Sequence, residues 1–125
     1  MAMEHLPPDE LSALAHGDLL GQNILLAPGQ PPHVIDWEFA RVGDPAYDLA
    51  IVTRGVRRPF QIDGGLERLL RGYRSSGGGE VTADHVHPHE LGLIGGWYRE
   101  AMSGAGGHSL AEESLRMRSL LRQLR

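Results

Sequence analysis

The sequence predicts an α+β fold, mostly helical, with one β-hairpin near its start. Two observations carry this reading. Residues 24–36 form two short apolar runs around a Pro/Gly-rich turn, the mark of a hairpin. Downstream, apolar residues recur at helical spacing in four successive stretches, separated by glycine-rich breaks.

Taken in order, Pro7-Pro8-Asp9-Glu10 opens a short helical pattern with Leu11, Leu14 and Ala15 on one side, and Gly17 breaks it. Ile24-Leu25-Leu26-Ala27 reads as a strand, Pro28 to Pro32 as a turn, and His33-Val34-Ile35-Asp36 as the returning strand. Gly43-Asp44-Pro45 is a turn and helix start, with proline suited to a first helical turn. That helix carries Tyr47, Leu49, Ala50 and Val52 and ends near Gly55. A further helix is expected over Leu66–Ser75, another over His89–Met102, and a last one from Ser109. Gly92, Gly95 and Gly96 suggest close packing along the second of these. Leu110, Met117, Leu121 and Leu124 form the expected apolar stripe of the last helix, with its arginines on a solvated face.

At 125 residues the chain is expected to form a single domain, with a catalytic loop and hairpin over 15–38 and a helical part over 44–125. Its 41% hydrophobic and 22% charged residues are ordinary for a globular protein. The formal net charge of −4 argues against nucleic acid as a partner. No cysteine is present, so disulfides and thiolate metal sites are excluded. No apolar run reaches membrane-spanning length and no signal peptide opens the chain, so a cytoplasmic protein without a membrane partner is expected.

The chemistry concentrates in His16-Gly17-Asp18-Leu19-Leu20-Gly21-Gln22-Asn23 and Val34-Ile35-Asp36-Trp37-Glu38. Protein kinases combine an aspartate base, an asparagine five residues later and a further aspartate to move a phosphoryl group. Asp18 can accept a hydroxyl proton, and Asn23 and Asp36 offer hard oxygens suited to Mg²⁺. The hairpin itself brings Asn23 and Asp36 to one end. His16 reads as an anchor of the loop. Trp37 reads as core packing and Glu38 as a candidate substrate contact. His85, His87 and His89, alternating around Pro88, read as a solvated loop rather than a metal cluster. Arg54, Arg57 and Arg58 read as a basic helix end rather than a phosphate site.

These motifs, together with Gly43-Asp44-Pro45-Ala46-Tyr47-Asp48-Leu49-Ala50, resemble the aminoglycoside phosphotransferase family over about Ala15 to Val52. The resemblance implies a protein-kinase-like C-terminal lobe whose hairpin carries the metal site. It implies Asp18 as catalytic base, Asn23 and Asp36 as Mg²⁺ ligands, and Asp48 as a buried aspartate holding the catalytic loop. It further implies ATP or GTP as phosphoryl donor and a hydroxyl of an amino sugar or related cationic metabolite as acceptor. The sequence departs from the pattern where the family usually has His-Pro-Gly and this chain has Leu20-Gly21-Gln22. The family's nucleotide-clamping N-terminal lobe is also expected to be absent, because the first 15 residues contain no lysine and are too few to build it. Two functions are therefore carried forward. One is a kinase lobe acting alone or with a complementary N-lobe chain. The other is a non-catalytic remnant serving as a binding or homodimerisation module.

Overall fold

The computed structural model describes residues 12–53, 60, 62–104 and 109–123. It is mostly helical, with two small two-stranded sheets. Strand β1 (Ala13–Ala15) pairs antiparallel with β4 (Arg41–Gly43), and β2 (Ile24–Leu25) with β3 (His33–Val34). Four helices follow: α1 (Pro45–Val52), α2 (Gly65–Ser75), α3 (Ala83–Ser103) and α4 (Leu110–Gln123). The chain divides into two compact units at Val86/His87, within α3.

In the first unit, β1 packs against α1. Ala15, Ala46, Leu49, Ala50, Ile51 and Val52 are all buried. Helix α1 starts sharply because the Asp44 side chain accepts from the Ala46 amide at 2.9 Å and Pro45 occupies the first turn. The small Ala46 and Ala50, each fully buried, let the helix backbone lie close to what it covers.

Several expectations are corrected here. Ala13–Ala15 is a strand, not the end of a helix; its partner lies 26–30 residues further on, and local periodicity cannot register that pairing. Helix α3 begins at Ala83, so His85, His87 and His89 stand on a helix and not in a loop. Pro88 lies inside it, and because a proline has no N–H for the ladder it reads in the sequence as a helix boundary, which is why the expected helix begins only after it. Gly92, Gly95 and Gly96 do not mark close packing, since a Cβ at any of them would meet nothing within 4 Å.

In the second unit, α4 buries a different face from the expected stripe. Glu113 and Leu120 are buried, whereas Leu110 and Leu121 are exposed. Arg116 makes this possible by donating to Glu113 at 3.0 Å and to Glu112 at 2.8 Å. A carboxylate taken out of water needs such a partner. Also in this unit, His87 Nδ1 lies 2.9 Å from Glu90 Oε2. Arg54, Arg57, Arg58 and Leu124 fall outside the described residues. No described helix is long and apolar enough to cross a membrane.

Candidate functional site

The loop between β1 and β2 is held by its own polar groups. The Asp18 carbonyl accepts from the Leu20 amide at 2.7 Å and from Asn23 Nδ2 at 2.9 Å. Asn23 Nδ2 also lies 3.1 Å from Asp18 Oδ2, so one amide group fixes both the loop backbone and the carboxylate. A single 3₁₀ turn over Gly21–Asn23 makes this reach possible, with the Asn23 amide donating to the Leu20 carbonyl at 2.9 Å. Asn23 is 8% exposed. Its donor is spent on Asp18, which leaves Oδ1 without a partner among the described residues.

Asp48, on the first turn of α1, ties the loop to the helix. Its carboxylate accepts from the backbone amides of both His16 and Gly17, the latter at 2.9 Å. Hydrogen bonds to a charged acceptor are the stronger kind, and here two converge on one half-buried carboxylate.

His16 connects the loop to the hairpin. The residue is 2% exposed. Nδ1 accepts from the Asp18 amide at 3.2 Å, which leaves Nε2 to donate to the Ile35 carbonyl at 2.9 Å. These two partners select the Nε2–H tautomer. A second strap runs from the Ile35 amide to the Asn23 carbonyl at 3.0 Å, extending the β2–β3 pairing to the end where Asp36 begins.

Asp36 follows directly and adopts φ +67°, a left-handed conformation uncommon outside glycine. It is exposed, and its carboxylate has no partner among the described residues. Glu38 is likewise exposed and has no partner among the described residues. Trp37 corrects the expectation of core packing. It is 48% exposed, its Nε1 donates to the Val34 carbonyl at 3.0 Å, and its ring rests 4.7 Å from that of His16. The polar brace and the His16 contact hold the indole on the surface.

The donor set suits a hard cation. Among the described residues Asn23 Oδ1 and the Asp36 carboxylate are open oxygens, and residues 23 and 36 lie at the same end of the hairpin. Among the described residues no group of three His, Asp or Glu side chains is arranged to hold a metal. A cation held by one amide and one carboxylate keeps most of its coordination for water and phosphate, which is the usual habit of Mg²⁺.

Sequence reasoning overlooked the turn after Asp36 and the strand β4 that follows it. Gly17 reads in the sequence as a breaker, although a glycine between the anchoring histidine and the aspartate is also the available signal for a close backbone approach.

Comparisons with known proteins bear on the family of the chain. Residues 2–85 match the family model described as "Phosphotransferase enzyme family". The chain is 45% identical over 49 residues to viomycin phosphotransferase of Streptomyces vinaceus, which covers 36% of this chain and 17% of the relative. It is 32% identical over 72 residues to acyl-CoA dehydrogenase family member 10 of Mus musculus, covering 56% of this chain and 6% of the relative. The chain thus spans less than a fifth of either relative's length. No solved structure matches.

Proposed function

Because the chain belongs to the phosphotransferase enzyme family, we propose that it carries the base-and-metal part of a small-molecule phosphotransferase. It would pass the γ-phosphoryl group of ATP or GTP to a hydroxyl of an amino sugar or related cationic metabolite. The observation that carries this reading is the polar knot in which Asn23 aims the Asp18 carboxylate while keeping its own oxygen open beside the Asp36 end of the hairpin.

In this reading Asp18 orients the acceptor hydroxyl and receives its proton. The acceptor oxygen bonds to the γ-phosphorus, the bond from that phosphorus to the β,γ-bridging oxygen breaks, and the nucleoside diphosphate leaves. Asn23 Oδ1 and Asp36 would hold Mg²⁺, whose chemistry is to draw charge from the phosphate oxygens. His16 and Asp48 keep the loop and hairpin in register. Glu38, exposed and without a partner among the described residues, supports a cationic acceptor.

Phosphorus NMR of the chain with Mg²⁺, ATP and an amino sugar tests this proposal. A sugar-phosphate resonance should appear, and Asp18→Asn should slow its growth by roughly 10²–10⁴-fold without changing the melting temperature. Equal rates in the two proteins would remove Asp18 as the base.

One observation favours a second reading, a non-catalytic binding module. Of the twelve large apolar side chains exposed among the described residues, seven lie between Leu14 and Val42. So much apolar surface around the site suits a covering protein, either a second copy of this chain or a complementary N-lobe chain. Sedimentation at rising concentration tests the homodimer: a constant monomer mass would exclude it.

A further inference from the structure

Gly17 is constrained twice. It adopts φ +84°, where an L side chain is strained. It also lacks room: a Cβ there would stand 3.0 Å from the Phe39 carbonyl carbon and from Phe39 Cβ, and nearer still to the carbonyl oxygen. The backbone of residue 39 therefore rests on the bare Cα of the loop that carries Asp18. Phe39 as a whole is 56% exposed, and the atoms nearest Gly17 are its main-chain carbonyl and its Cβ, all of which Phe39→Ala keeps.

The turn resting there is the one that follows Asp36. Its closing bond runs from the Ala40 amide to the Trp37 carbonyl at 3.0 Å, and it leads into β4, where Arg41 is registered with Ala15. Asp36 is thus bracketed. Before it, His16 Nε2 holds the Ile35 carbonyl; after it, Gly17 receives the Phe39 carbonyl. Asp36 has an unusual φ of its own and no side-chain hydrogen bond among the described residues to fix it, so its position depends on the two brackets.

We infer that Gly17 is a positioning residue: by lacking a side chain it seats the Trp37–Ala40 turn, and so sets where the Asp36 carboxylate stands relative to Asn23 and Asp18. The inference rests on the proposed metal role of Asn23 and Asp36. It differs from a requirement for a left-handed residue, because asparagine tolerates that conformation well while still carrying a Cβ.

The test compares the full chain with Gly17→Ala, Gly17→Asn and Phe39→Ala by NMR. In the metal-free protein, hydrogen exchange at the Ile35 amide should quicken at least tenfold in both Gly17 variants while amides of α2 and α4 keep their rates. With added Mn²⁺, paramagnetic broadening of the Asn23 side-chain amide should need about tenfold more ion in both. Phe39→Ala should match wild type in each measurement. Wild-type behaviour of Gly17→Asn would overturn the seat in favour of backbone conformation alone. A loss in Phe39→Ala equal to that in Gly17→Ala would overturn it in favour of side-chain packing. If neither Gly17 variant folds, Ala40→Pro, which removes the N–H closing the turn, should produce the same loss at Asn23; unchanged Mn²⁺ broadening would reject the inference. Absence of Mn²⁺ broadening in wild type would retire the metal reading, and Ile35 exchange would still decide whether Gly17 seats the turn.

Discussion

The stretch from β1 through α1 and the unit beginning at His87 use polar groups in opposite ways. In the first, side-chain carboxylate, amide and imidazole groups bond mainly to backbone: Asp48 to two amides, Asn23 to a carbonyl, and His16 to an amide and a carbonyl. In the second, two pairs bond side chain to side chain, Glu113 with Arg116 and His87 with Glu90. Side chain to backbone bonding fixes the path of a loop. Side chain to side chain bonding lets a helix bury charge without altering its path. The first region is therefore specified atom by atom, whereas these helices require that their charges be matched.

The largest expected effect tests the second region. Arg116→Met would leave the buried Glu113 carboxylate without its guanidinium partner, and such a loss costs about 3–5 kcal/mol. Denaturant unfolding measures it directly. A change under about 1 kcal/mol would mean that Glu113 is satisfied without Arg116, and the contrast between the regions would weaken. Next comes Asp48→Ala, which strands the His16 and Gly17 amides; each unsatisfied donor costs about 1–3 kcal/mol, at the lower end here because the site is half-buried. Its chemical-shift changes should concentrate in residues 16–23 and spare α4. Changes spread evenly along the chain would show that Asp48 supports the whole unit and not the loop. The smallest is Asp44→Ala, which removes the cap on Ala46 and should cost about 1 kcal/mol. Faster exchange confined to the first turn of α1 would sharpen the account, and slower transfer without any such fraying would contradict it.

The sequence made the polar knot legible because its parts are close in the chain or follow from a hairpin. Asp18 and Asn23 are bridged by one 3₁₀ turn, and the turn at Pro28–Pro32 returns the chain so that Ile35 meets Asn23. The Asp44-Pro45 helix start was legible for the same local reason. What could not be read was long-range. The pairing of β1 with β4 has no local period, and a three-residue strand containing Leu14 and two alanines looks helical in isolation. The stripe expected on α4 differs from the buried face because a glutamate occupies that face, held there by its ion pair with Arg116. Trp37 was misplaced because size suggests burial, whereas its indole N–H finds the Val34 carbonyl while the ring stays at the surface.

The proposed function requires Asp18, Asn23 and Asp36 to form one centre for a metal-bound nucleotide. Titration of Mg²⁺·ATP into wild type and Asp36→Asn, followed by NMR at the Asn23 side-chain amide and the Asp18 backbone amide, tests it most directly. The account predicts that both resonances shift together in wild type and that Asp36→Asn needs at least tenfold more nucleotide, about 1.4 kcal/mol. Identical titrations in the two proteins, or shifts confined to α3 and α4, would contradict it.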